Sequence, residues 1–178
     1  GRRMKHIASR VSLMGLLFAL SMAFSYLESM IVIPGMLPGI RLGLSNLVTM
    51  YGVFFLGRRT GYTLAVMKSV FVLLTRGFVA GMLSLSGGLV SVTAIILVDW
   101  LTRYSLHYIT LSVIGAVMHN IGQLILARFL TSVFLYYYIP VLLISGLVVG
   151  AVTGKLFGWI IPYLPQRYRS SLRQRGEK

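Results

Sequence analysis

The stretch GAVMHNIGQLILARF, residues 115–129, sets His119, Asn120 and Gln123 within five positions of an otherwise apolar run. An imidazole and two carboxamides can donate and accept hydrogen bonds, which suits them to holding a polar solute. On a helix His119 and Gln123 share one face a turn apart, with Asn120 rotated by about 100° toward the next. Strongly polar side chains at membrane depth face a bundle interior or a water-filled cavity, so the trio is expected to point inward. Interhelical hydrogen bonds, worth roughly 0.6 kcal/mol each, would account for any one of the three.

The elements that must position these residues follow from composition. Hydrophobic residues make up 57% of the 178-residue chain and charged ones 11%, a balance that marks a polytopic membrane protein. Short loops between helix-length apolar runs favour an all-α bundle over a β-barrel. The hydropathy pattern places six transmembrane helices near residues 11–27, 42–57, 61–76, 87–103, 109–130 and 139–161, forming a single transmembrane domain with both termini on one side. The first run follows a basic segment but lacks a signal-peptidase site, so it is expected to be retained as a helix. Cytoplasmic termini put twelve basic residues inside, against Arg41, Arg76 and Arg128 outside. The formal charge of +14 therefore reflects topology, and nucleic acid is not expected as a partner.

Aromatic residues mark the edges of these spans. Trp100, Tyr104, Tyr108, Trp159 and Tyr163 fall at inner ends and Tyr136 to Tyr138 at an outer one, all expected as interfacial anchors. Asp99 and Arg103, four residues apart, suggest a local ion pair. The segment ESMIVIPGMLPGI, residues 28–40, is too apolar for a solvated loop and is expected to fold back over the bundle as a lid. The stretch GMLSLSGG, residues 81–88, predicts irregular backbone beside a cavity.

Charged residues add to the polar patch. Arg41 opens RLGLSNLVTMYG, where Ser45, Asn46 and Thr49 turn inward over the next two turns, although small polar residues there serve close packing equally well. Lys68 lies roughly 12 Å before Arg76, and an uncompensated charge so deep costs about 2.5 to 3.5 kcal/mol. Two readings of Lys68 stay open, one with its ammonium snorkelling to the cytoplasmic side and one facing a cavity. On the outer half Arg41, Arg76 and Arg128 face only one acid, Glu28. A pocket drawing on them would favour an anionic ligand, since guanidinium groups grip carboxylate or phosphate bidentately. A Glu28–Arg41 pair, or arginines at the headgroups, would explain the same residues structurally. Ala19 and Ala23 form a small-xxx-small surface on the first helix, which also suits packing inside the bundle.

Metal chemistry finds no support. The chain has no cysteine, and His6, His107 and His119 are too far apart for a zinc-helix motif, so no metal and no cofactor is expected.

Taken together, RLGLSN (41–46), SLSGG (84–88) and GAVMHNIGQL (115–124), with the Pro-Gly segment after Glu28, resemble the heptaprenyl diphosphate synthase component I family, also called the Gx transporter family. The likeness runs over about residues 11–161. That family is in turn similar to the substrate-binding S components of energy-coupling factor (ECF) importers. The resemblance implies capture of a vitamin or cofactor precursor from outside, beneath the segment joining the first two helices. It implies as partners a transmembrane coupling protein and two ATPases in a prokaryotic plasma membrane, with an A-x-x-x-A surface, matched by Ala19 and Ala23, at the contact. Arg41 stands where the resemblance leads one to expect Lys.

A catalytic role does not fit. Prenyl diphosphate synthases hold magnesium through clustered aspartates, whereas the only acids here are the widely separated Glu28, Asp99 and Glu177. There is no Walker A motif either, so an ATP-driven step would belong to partners. The expectation is therefore a non-enzymatic S component that binds a small anionic solute through Arg41, Asn46, Arg76, His119, Asn120, Gln123 and Glu28. The alternatives are a non-catalytic membrane accessory subunit of a polyprenyl diphosphate synthase and a scaffold or channel-like bundle.

Overall fold

The computed structural model describes residues 2–30, 45–103, 106–130 and 139–163, and these residues are helical apart from short turns. Helix α1 spans Arg2–Met30, α2 spans Asn46–Tyr51, and a π-helical turn, Gly52–Leu56, continues α2. Then come α3 (Arg58–Arg76), α4 (Phe78–Leu101), α5 (Tyr108–Leu130) and α6 (Ile139–Ile160), which runs into a 3-10 turn at Ile161–Tyr163. Four stretches are long and apolar enough to cross a membrane: Ile7–Met30, Phe78–Leu101, Tyr108–Leu130 and Ile139–Leu156. The apolar helix Asn46–Leu56 is shorter, and α3 carries Arg58, Arg59, Lys68 and Arg76.

Glycine marks the breaks on both sides of α3. Gly57 (φ +110°) and Gly77 (φ +95°) adopt backbone angles that cost an L side chain energy, so the chain turns there without a long loop. Arg76 sits in the last turn of α3, where a cation complements the helix dipole. One turn later α4 is already under way, with Gly81 N–H donating to the Gly77 carbonyl at 3.1 Å.

This early start corrects one sequence expectation. Residues 81–88, read as irregular backbone, are regular helix within α4. Their small residues serve close helix packing instead. A Cβ on Gly87 would lie 2.8 Å from both Cε1 and Nδ1 of His119, and one on Gly122 would lie 3.1 Å from Gly87 Cα. Hence α4 and α5 cross almost backbone to backbone, and Ser86 Oγ donates across the crossing to the Gly122 carbonyl at 2.8 Å.

The α5–α6 seam repeats the device in GLVVGAVTG (146–154), a G-x-x-x-G-x-x-x-G series. Cβ atoms there would lie 3.2 Å from Val117 Cα at Gly146, 2.9 Å from Val113 N at Gly150 and 2.9 Å from Ile109 Cβ at Gly154. Three glycines four residues apart thus mesh with three residues at the same interval on α5.

Apolar packing fills the half of the bundle where α2 ends and α5 begins. Met50, Val53, Phe54, Phe55, Ile95 and Leu111 pack there in one cluster, and Leu17, Leu47, Val48 and Leu64 tie α1 and α3 to α2 in another. Tyr108, expected as an interfacial anchor, packs inward, its ring centroid 5.2 Å from that of Phe54 and 6.0 Å from that of Phe55. Trp100, Trp159 and Tyr163 are exposed, as anchors require. Asp99 is buried in α4, while Arg103 lies exposed past its end with φ +53°. Tyr104 and Tyr136 to Tyr138 fall outside the described residues.

Candidate functional site

At the opposite end, where α1, α3 and α5 finish and α2 and α4 begin, polar side chains converge on a narrow recess. Apart from Ser45, its lining comes in sets of two or three residues spaced by about one helical turn. Ser25 and Glu28 come from α1, Lys68, Val72 and Arg76 from α3, Ala80 and Ser84 from α4, and His119 and Gln123 from α5, with Ser45 just before α2. Spacings of three and four residues keep each pair on one face, so a set scattered over 99 positions of sequence meets in one place. The space left among the described lining residues is about 10 Å³, about what one water molecule needs.

Lys68 is 2% exposed and faces this recess, which decides between the two readings of it in favour of the cavity. Its Nζ donates to Ser45 Oγ at 3.4 Å, and the Glu28 carboxylate lies in the same lining. Burying an ammonium without compensation is costly, so these oxygens are what make the position tolerable.

Ser45 is the knot of the site. Its N–H donates to Glu28 Oε2 at 3.5 Å, its carbonyl accepts from Ser21 Oγ at 3.4 Å, and its hydroxyl accepts from Lys68. Arg76 completes the set by donating from Nη2 to the Ser25 carbonyl. Polar contacts therefore hold α1 against α2 and α3 at this end, whereas leucine and valine do so farther down.

His119 and Gln123 form the wall from α5, with Gln123 Nε2 3.2 Å from His119 Nε2. A carboxamide nitrogen only donates, so the imidazole nitrogen accepts and the ring is neutral in this arrangement. Gly87 gives the ring its place, because any side chain there would strike it.

The trio read from the sequence divides here. His119 and Gln123 line the recess, but Asn120 points into the α5–α6 seam, where its Nδ2 donates to the Leu142 carbonyl at 2.7 Å and lies 3.5 Å from Ser145 Oγ. Asn46 also serves a seam, donating from Nδ2 to Ser91 Oγ at 2.9 Å between α2 and α4. Both are fully buried, yet the recess lining includes neither. Asn46 and Asn120 thus satisfy the interhelical alternative, which spacing alone could not separate from a binding role. Glu28 and Arg76 lie in the recess; residues 28–30, expected as the start of the lid, are instead the end of α1, whereas Arg41 and the rest of that segment fall outside the described residues.

Ser25, Val72 and Ala80 complete the lining without having been singled out beforehand, and Ser84 comes from the stretch 81–88 expected beside a cavity. The signal for Ser25 was its spacing of three from Glu28, and for Val72 its place midway between Lys68 and Arg76. Ala19 and Ala23 are exposed on α1, clear of the recess. Among the described residues no group of three His, Cys, Asp or Glu could hold a metal ion.

A family model described as heptaprenyl diphosphate synthase component I matches residues 17–159, nearly the stretch over which the resemblance was read. No curated protein and no solved structure matches the chain.

Proposed function

We propose that this chain, which belongs to the heptaprenyl diphosphate synthase component I family, is a non-catalytic membrane subunit that binds a small anionic solute between Lys68, Arg76, Glu28, His119 and Gln123. One observation carries the reading: buried Lys68 and half-buried Arg76 of α3 converge with a neutral imidazole and a carboxamide on one polar recess. Ionisable residues kept inside a membrane bundle at such cost mark solute sites more often than packing. With three acids in all, the chain has no means of assembling the magnesium-diphosphate chemistry of a synthase, so catalysis belongs to a partner.

The proposed topology is six spans with both termini in the cytoplasm of a prokaryotic cell, α2 with its π turn and α3 completing the four longer helices. The whole chain then forms one transmembrane domain, and the recess opens to the outer side. The family description favours a setting beside a second synthase component, in which this chain is the membrane accessory subunit. A second setting, the S component of an ECF importer with a coupling protein and two ATPases, draws support from exposed Ala19 and Ala23 on α1.

The test is to purify the chain in lipid nanodiscs from its native membrane and identify both the small molecules and the proteins that come with it by mass spectrometry. A retained anionic solute that disappears in Lys68→Met supports the reading. Equal recovery of that solute from wild type and Lys68→Met, or no solute with either, rejects it. A copurifying prenyl synthase subunit selects the first setting and a coupling protein with ATPases the second.

A further inference from the structure

We infer that the outer seam between α3 and α4 binds an anionic phospholipid, with the phosphate on Arg59 and an acyl chain laid along the exposed face of α3 below it. The site lies at the end of the bundle opposite the recess. It rests on the membrane-spanning reading above and needs no solute.

Three close approaches define the seam. Tyr62 Oη and Thr93 Oγ1 lie 2.7 Å apart, a Cβ on Gly88 would lie 3.1 Å from Ala65 Cβ, and one on Gly81 would lie 3.1 Å from Leu73 N. The two helices therefore run antiparallel and side by side over most of α3. One turn before Tyr62 stands Arg59, and one turn beyond Thr93 stands Leu97, followed by Trp100. Arg59, Leu97 and Trp100 are all exposed. A guanidinium, an indole and a leucine thus share one stretch of outer surface.

Below Arg59 the exposed face of α3 continues at helical spacing through Thr63, Val66, Val70 and Leu73. Hydroxyls on this surface are already engaged within the protein. Thr63 Oγ1 donates to the Arg59 carbonyl at 2.9 Å, and Tyr62 and Thr93 bond each other. What faces outward is hydrocarbon beneath a cation, the shape of a phospholipid in reverse. Guanidinium grips a phosphate bidentately, and Trp100 takes the headgroup depth where indoles settle.

Charge selects the kind of lipid. Arg59 is exposed, whereas Asp99, the acid of α4, is buried. The segments outside the described residues bring one acid between them, Glu177, in a tail that also carries Arg167, Arg169, Arg173, Arg175 and Lys178. However those segments lie, this end of the protein keeps an excess of positive charge, which favours an anionic headgroup over a zwitterionic one.

The experiment takes the full chain in detergent micelles and measures bound lipid by native mass spectrometry. The probes are dioleoyl phosphatidylglycerol, dioleoyl phosphatidylcholine and glycerol phosphate. Wild type is expected to hold phosphatidylglycerol about tenfold more tightly than phosphatidylcholine, and Arg59→Gln to lose about fivefold of that affinity. Arg59→Lys keeps the charge but not the fork and should fall between. Arg10→Gln alters an exposed base on α1 and should match wild type. Equal binding of the two lipids by wild type overturns the inference, as does glycerol phosphate binding as tightly as the lipid. A loss in Arg10→Gln as large as in Arg59→Gln overturns it too, since the attraction is then that of the whole surface. So does an acidic protein that copurifies with wild type and not with Arg59→Gln while both hold the lipid equally. Should Arg59→Gln fail to fold, Arg59→Lys and the lipid preference of wild type decide. Arg59 is outside the recess, so failure here leaves the solute-binding reading standing.

Discussion

Substituting Gly87 by alanine tests the tight crossing that seats His119. The new Cβ would stand 2.8 Å from two ring atoms of His119 and 2.9 Å from its carbonyl oxygen. Comfortable contact needs about 3.5 Å, so α4 and α5 must part by roughly 0.7 Å or the ring must leave its place. The carbonyl belongs to the α5 backbone, so a side-chain rotation alone does not relieve the clash. Overpacking of this kind costs about 1 to 3 kcal/mol, and the better helix propensity of alanine returns up to about 1 kcal/mol. A net loss of roughly 1 to 2 kcal/mol is a drop of about fivefold to thirtyfold in the ratio of folded to unfolded protein.

Two controls sharpen the measurement. Gly15→Ala has nothing within 4 Å of its new Cβ and should be neutral or slightly stabilising. Gly88→Ala meets only Ala65 Cβ closely, at 3.1 Å, and should fall between the two. Equilibrium unfolding of the three variants in mixed micelles, followed by circular dichroism, gives the order directly. If Gly87→Ala proves as stable as Gly15→Ala, the crossing is wider than described and the seating of His119 needs another explanation.

Further outcomes can be stated briefly. Asn120→Leu removes the bond to the Leu142 carbonyl and should cost about 1 kcal/mol of stability in micelle unfolding while leaving solute retention unchanged. Gln123→Leu should do the opposite, abolishing retention measured by mass spectrometry with little loss of stability. Ser86→Ala deletes the 2.8 Å bond to the Gly122 carbonyl and should destabilise by about 1 kcal/mol in the same unfolding assay. Tryptophan at both Ala19 and Ala23 meets open surface, so folding and solute binding should persist while recovery of any partner that docks on α1 falls.

What could be read in advance was the helical class, the approximate places of the long apolar helices and the inward turn of His119 and Gln123, while Glu28 and Arg76 were left between a pocket and a structural role. These rest on periodicity and on the cost of burying charge, both local to the sequence. The roles of Asn120 and Asn46 could not be read, because whether a carboxamide meets a ligand or a neighbouring carbonyl depends on the rotation of a second helix. Lys68 was undecided for a similar reason, since an ammonium near mid-span can reach either way until Ser45 and Glu28 are seen beside it. The start of α4 was misjudged because Ser and paired Gly signal a loop in water, whereas between membrane helices they signal closeness.

The interlocked glycines of α6 have a mechanical consequence. With Gly146, Gly150 and Gly154 each seated against α5 at intervals of four residues, a slide of one residue would drive Leu147, Ala151 and Lys155, or Ser145, Val149 and Thr153, into the neighbouring backbone. The next register that fits lies a full four residues away, about 6 Å along the axis. The pair α5–α6 therefore behaves as one rigid strut, which keeps the wall bearing His119 and Gln123 in alignment.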